Sequence, residues 1–256
     1  MTTSRDKAFT ILRARGVGRF VFFCDHASNR IPAELHNLGL AAPDLARHIA
    51  WDIGAAGVTE ALSEIFDSPA ILCTTSRLVV DCNRHPGVAD LIPEVSDGTS
   101  IPGNLHLNDA ARADRVAQWF RPYHDAIEFV LLEREAGNLE TVVVSVHSMT
   151  ASLADQARPW QISLSSYQDR SMADPVLASL RLPGDVVVGD NQPYDLNPAV
   201  DYSTPFHAMR RGLPHIQVEF RQDEIGDPAS QRRWALRFAE ALRQCPKQPL
   251  PSTSPL

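Results

Sequence analysis

The sequence predicts an α/β protein: one three-layer α/β/α domain with a mixed, mostly parallel sheet between helical layers. Two observations carry this. Short runs rich in Val, Ile and Phe at residues 20–24 (FVFFC), 70–74 (AILCT), 141–146 (TVVVSV), 185–189 (DVVVG) and 215–220 (HIQVEF) are apolar without alternation. Continuous apolarity is what strands buried on both faces require. Between the runs stand longer segments of helical period, DAARADRVAQWF, YHDAIEFVLLERE and SQRRWALRFAEALRQ. Strands and helices in alternation build a sheet covered on both faces.

At 256 residues the chain is long enough to bury a full core and close to the size at which single cores stop growing, so one catalytic domain is expected over residues 1–245. The end, CPKQPLPSTSPL, is rich in Pro and Ser with little to pack, and residues 246–256 are expected to form a flexible tail. Residues 85–108, HPGVADLIPEVSDGTSIPGNLHLN, are too long and too rich in Pro, Gly and polar groups for an ordinary connection. They read as a functional loop or lid.

Composition excludes several classes. With 44% hydrophobic and 21% charged residues the chain is neither disordered nor fibrous. Its net charge is −7 and its basic residues are dispersed, so no nucleic-acid footprint is present, and an anionic substrate has to be drawn in by particular arginines. The opening MTTSRDKAFTILRARG has no continuous apolar stretch of the secretory kind, and no run approaches the roughly 18 apolar residues of a membrane span. A cytoplasmic protein without a membrane partner is expected. Cys24, Cys73, Cys82 and Cys245 show no CxxC spacing and read as reduced and buried.

In open α/β sheets chemistry collects beyond the carboxyl ends of the strands. FVFFC is followed by Asp25-His26-Ala27-Ser28-Asn29-Arg30, TVVVSV by His147-Ser148, and HIQVEF carries Glu219 at its apolar end. SRLVVDCNR adds Arg77, Asp81, Asn83 and Arg84. A single histidine after a strand is most often a hydrogen-bonded structural residue. Two histidines and a carboxylate at three strand ends point instead to a metal or acid–base site, because a buried charge is costly unless it is paired or put to work. Asp190 to Tyr194, including Asn191, follow DVVVG and either line a pocket or form an Asx turn. A nucleophilic site, Cys24 with His26 or Ser148 with His147, is disfavoured because adjacent residues on an extended segment point apart.

The segments DHASNRIP, HIAWDIGA, SRLVVDCNR, RPYH, VHSMT and GLPHIQVEFRQD, in this order between about Phe20 and Asp223, together resemble the N-formylglutamate amidohydrolase family. That family is similar in architecture to zinc carboxypeptidases and to the aspartoacylase and succinylglutamate desuccinylase group. The resemblance implies a divalent metal, zinc, held by His26 and His147, with Glu219 activating water. It implies that Asn83 and Arg84 grip a substrate carboxylate and that Arg77 is a further substrate-binding arginine, Arg77 and Arg84 taking the carboxylates of the amino-acid half. It also implies that Arg77 joins Glu219 as a catalytic residue, an arginine steadying the oxyanion. The implied substrate is a small, acidic N-acyl amino acid such as N-formylglutamate.

The relatives carry an acidic ligand three positions after the first histidine, where this chain has Asn29, and a neutral amide is a poor ligand for a divalent cation. Asp52, flanked by Trp51 and Ile53, is the expected substitute and Asn29 the alternative; the bland reading of Asp52 is a helix cap. The same departure motivates a rival function, a non-catalytic small-molecule binding protein on this fold. Another N-acyl amino acid deacylase is a further alternative. The acyl group, the oligomeric state and the roles of His124, His207 and His215 stay open, His124 being read as structural.

Overall fold

The computed structural model describes residues 7–247. A seven-stranded sheet forms its centre. The strands are β1 (Phe9–Leu12), β2 (Phe20–Cys24), β3 (Ala70–Cys73), β4 (Val142–Met149), β5 (Ile162–Ser165), β6 (Val188–Asp190) and β7 (His215–Arg221). They lie in the order β1-β3-β2-β4-β7-β5-β6. β1 is antiparallel to β3 and β5 is antiparallel to β7, while the other neighbours run parallel. The sheet is thus mixed and mostly parallel, as the apolar runs require.

Helices α1 (Ala55–Phe66), α2 (Arg121–Ala136), α3 (Ala173–Arg181) and α4 (Pro228–Leu242) cover it. The strand period of two sorts the side chains of β2 between two cores. Phe20, Phe22 and Cys24 pack with Val58 and Leu62 of α1, Val176 of α3 and Phe238 of α4. Val21 and Phe23 pack with Tyr123, Ile127 and Val130 of α2 on the other face. These side chains are almost wholly buried, and each contributes about 1.5–3 kcal/mol by leaving water. Asp227 caps α4 by accepting from the backbone N–H groups of Ala229 and Ser230.

Several sequence expectations change in detail. DVVVG is strand only at Val188–Asp190, because β6 is an edge strand that pairs with the short β5 alone. β4 runs on to Met149, so His147 lies within the strand rather than after it. Residues 85–108 are not a lid. They fold into short 3-10 turns and a small hairpin, Val95–Ser96 with Thr99–Ser100. Ile92, Ile101 and Asn104 are buried there, and the Arg115 guanidinium donates to Asn104 Oδ1, Gly103 O and Val79 O. Of the expected tail, residues 248–256 lie outside the described residues, while the Pro246 carbonyl accepts from Arg19. No helix among the described residues is long and apolar enough to cross a membrane.

Candidate active site

The site lies at the carboxyl edge of β2, β4 and β7. His26 follows β2 by two residues, and Glu219 on β7 pairs in register with His147 on β4, so both side chains project from the same face. Asp52 arrives from the loop before α1, its backbone N–H donating to His26 O at 2.9 Å. Gly54 makes that loop possible. It has φ +82°, and a Cβ there would stand 2.3 Å from the Ile225 carbonyl oxygen.

Three side chains converge. Asp52 Oδ2 lies 2.8 Å from His147 Nδ1 and 3.3 Å from His26 Nδ1. Ligand atoms of His26, Asp52 and His147 all fall within 4.8 Å of one another, and all three residues are buried. The outer ring nitrogens are held as well. His26 Nε2 donates to Asp81 Oδ1 at 2.8 Å. His147 Nε2 lies 3.0 Å from Ser145 Oγ and 3.4 Å from Asp25 Oδ2. Asp25 is itself braced by hydroxyl donors from Tyr123 at 2.8 Å and Ser203 at 2.7 Å. Carboxylates behind histidines fix ring orientation and leave the inner nitrogens to a ligand.

The electrostatics favour a cation. Burial pushes the His147 pKa down, but bonds to Asp25 and Asp52 raise it well above its ordinary value. For His26, burial and the Arg77 charge pull down while Asp81 and Asp52 win, and the pKa rises. Burial opposes ionisation of Asp52, yet the two histidines hold its carboxyl far below the usual range. Two imidazole nitrogens and one carboxylate oxygen around a point that attracts positive charge form a donor set that suits a divalent metal ion. Burial pushes Glu219 up to about 7, with Asp52 adding to the rise and His147 opposing it.

Among the other expected site residues, Arg77 lines the cleft with Nε and Nη2 on Asp81 Oδ2, at 3.0 and 2.7 Å, and Nη1 3.6 Å from Asp52 Oδ1. Arg84 also lines it, donating to Asn83 O at 2.9 Å and standing 3.7 Å from Asp201 Oδ1. Two expectations are corrected. Asn29 turns away and donates to the Leu45 carbonyl at 2.9 Å, so it is not an alternative ligand. Asn191 accepts from the Ser166 backbone N–H at 2.8 Å, a long-range contact rather than an Asx turn, and is absent from the cleft wall, which of residues 190–194 holds Tyr194. Asn83 lines the cleft as expected; its amide donates one N–H to Asp201 Oδ1 and its oxygen accepts from the N–H groups of Tyr202 and Ser203, which ties it to the neighbouring loop.

The nucleophile readings gain no support: burial pushes the Cys24 thiol pKa well up, and Ser148 Oγ donates to Ile53 O at 2.9 Å. His124 donates from Nε2 to Cys82 O at 3.0 Å and accepts on Nδ1 from His207 Nε2 at 2.9 Å, a buried structural pair. His215 bonds the Leu213 carbonyl. Sequence reasoning gave no role to Asp25, Arg158 or His48, and read Tyr194 only as pocket wall or turn. The last three line the same cleft of about 320 Å³, and the only signal for Asp25 was a carboxylate directly before His26 at the end of a buried strand.

Comparison with known proteins agrees with this architecture. The family model for N-formylglutamate amidohydrolase matches residues 18–226. The crystal structure of a gene product from Agrobacterium tumefaciens is similar with a TM-score of 0.91 and 33% identity, covering 96% of this chain and 97% of that one. N-formylglutamate amidohydrolase from Ralstonia eutropha shares the fold with a TM-score of 0.64 at 17% identity, covering 93% of this chain and 98% of that one. No curated protein sequence matches. With the family model spanning most of the chain, this protein belongs to the N-formylglutamate amidohydrolase family of amide-bond hydrolases.

Proposed function

We propose that the chain is a metal-dependent amidohydrolase that removes the acyl group from a small, acidic N-acyl amino acid of the N-formylglutamate type. The observation that carries this reading is the convergence of His26 Nδ1 and His147 Nδ1 on Asp52 Oδ2, beside a glutamate raised to about 7. His26, Asp52 and His147 would hold the metal, with zinc the best fit to the donors. When bound, such an ion polarises the acyl carbonyl and lowers the pKa of water to about 7. With Asp52 supplying a carboxylate, Asn29 no longer argues for a non-catalytic binding protein.

The chain's own groups account for the rest. Glu219 accepts the proton of the attacking water and returns it to the leaving amine, a task suited to a carboxyl near neutrality. Arg77, held in place by Asp81, faces the oxyanion that develops on the acyl oxygen. Arg84 receives a substrate carboxylate, for which a guanidinium offers a two-point contact. Asn83 fixes the loop that carries Arg84.

Formate release from N-formylglutamate, measured before and after chelation, tests the reading. Activity should vanish with the metal and return with added zinc, and His147→Ala should bind no stoichiometric metal. Full turnover in the presence of a strong chelator would overturn metal dependence, and no turnover of any N-acyl amino acid by the zinc-loaded protein would overturn the activity.

A further inference from the structure

Three guanidinium groups face the cleft, and their charges are met differently. Arg77 is bonded to Asp81 and lies near Asp52. Arg84 stands within reach of Asp201. Arg158 forms no ion pair among the described residues. Its Nη1 donates to Thr150 Oγ1 at 3.3 Å, its Nη2 donates to the Tyr194 hydroxyl at 2.5 Å, and its guanidinium carbon lies 5.0 Å from the Tyr194 ring centre. Both partners are neutral, and Arg158 is only 8% exposed.

A buried cation without a counter-charge is costly, so an arrangement of this kind makes sense where a ligand brings the anion. Neutral acceptors aim the guanidinium without using up its charge, and two of its five N–H donors are engaged, which leaves others for a carboxylate. The topology explains why Arg158 is here. β5 runs antiparallel to β7, so residues 150–161 pass directly over the end of β7 from β4 to β5 and never leave the edge that bears His147 and Glu219. The Arg158 backbone is pinned on both sides, its N–H donating to Ala151 O at 2.8 Å and its carbonyl accepting from Arg221 Nη1 at 3.3 Å.

Arg84 and Arg158 enter the cleft lining from different segments of the chain. Arg84 follows Asn83 and Asp81 in the loop whose Asp81 carboxylate grips His26 Nε2. The side-chain partners of Arg158, Thr150 and Tyr194, line the same cleft. We propose that Arg158, aimed by Thr150 and Tyr194, is a specificity-determining residue that binds the side-chain carboxylate of the substrate while Arg84 takes the α-carboxylate. The inference rests on the amidohydrolase reading above. It makes the site selective for N-acyl derivatives of dicarboxylic amino acids over neutral isosteres.

The test compares N-formylglutamate with N-formylglutamine in wild type, Arg158→Gln and Arg158→Lys, each metal-loaded and checked for an unchanged melting temperature. Arg158→Gln should lose roughly 10- to 100-fold in kcat/KM for the acid, mainly through KM, and stay within about threefold for the amide. Arg158→Lys should recover part of the loss. Equal losses on both substrates, or an unchanged preference for the acid, would overturn the proposal. Calorimetric binding of glutarate and butyrate separates this from the activity itself. If wild type hydrolyses neither substrate, the amidohydrolase reading fails, and the role of Arg158 then stands only if Arg158→Gln weakens glutarate at least tenfold and leaves butyrate unchanged. Should Arg158→Gln unfold, Arg158→Lys carries the same comparison, and an unaltered acid-to-amide ratio in it refutes the proposal.

Discussion

Glu219 sits directly opposite His147 in the parallel pairing of β7 with β4. The register leaves the carboxyl beside the metal-ligand candidates without a direct bond to the Asp52 anchor, as a proton acceptor requires. Glu219→Gln should therefore keep the metal and substrate affinity while turnover falls by roughly 10² to 10⁴. Because Glu219 acts in its ionised form and burial raises it to about 7, wild-type kcat/KM should fall as pH drops below that value. That acid limb should be missing in the Gln variant. A pH–rate profile measured on both proteins checks both statements, and near-normal turnover in the folded, metal-loaded variant would remove Glu219 from the mechanism.

Asp81 grips His26 Nε2 and the Arg77 guanidinium with its two oxygens. Asp81→Asn keeps the shape but removes the charge that raises the His26 pKa and holds Arg77. Metal affinity should weaken by roughly 10- to 100-fold, as for other residues that support metal-binding histidines. Titration against a competing chelator measures this, and an unchanged affinity would mean that His26 needs no support.

Arg84→Lys preserves charge and loses the planar fork. KM for an acidic substrate should rise by roughly tenfold with kcat little changed, because a lysine makes a one-point contact. Steady-state kinetics decide it, and an unaltered KM would take Arg84 out of the substrate site.

His124 and His207 form a buried neutral pair, and burial lowers their pKa values to about 4 and about 2, with the His124 charge adding to the second. Unfolded histidines titrate near 6.5. Below that pH the unfolded chain takes up protons that the folded pair refuses, so stability is lost as pH falls, by about 1.4 kcal/mol per pH unit for each group until its folded pKa is reached. His207→Gln retains a donor for His124 Nδ1 and removes one of these groups. Its melting temperature should fall less between pH 7 and pH 5 than that of wild type, and equal drops would contradict the assignment.

The central strands could be read from the sequence because β2, β3, β4 and β7 are buried on both faces and need continuous apolar residues. β1 and β5 escaped. FTIL and ISLS are short and interrupted by polar residues, and β5 is buried through Ile162 and Leu164, which join the core on one face of the sheet. His26, His147 and Glu219 stood out as polar groups at the ends of buried runs. The link between Asp81 and His26 did not, since they are 55 positions apart and no local pattern joins them. Arg158 carries no sequence signal of its own, because its significance depends on which strand β5 pairs with and in which direction.

The turn at Ala154 and Asp155, both with positive φ, closes a small hairpin whose strands Ser152–Leu153 and Gln156–Ala157 rise from a base fixed at Ala151 and Arg158. Leu153, on one arm, reaches the cleft wall, while residues 154–157 are largely open to solvent. Surface turns anchored in this way tolerate insertion and replacement without shifting the elements beneath them. Changes at this tip can reshape the mouth of the cleft while the strands under it keep their register. The hairpin is thus the part of the molecule where an engineer could lengthen or retarget the substrate tail without rebuilding the centre that cuts it.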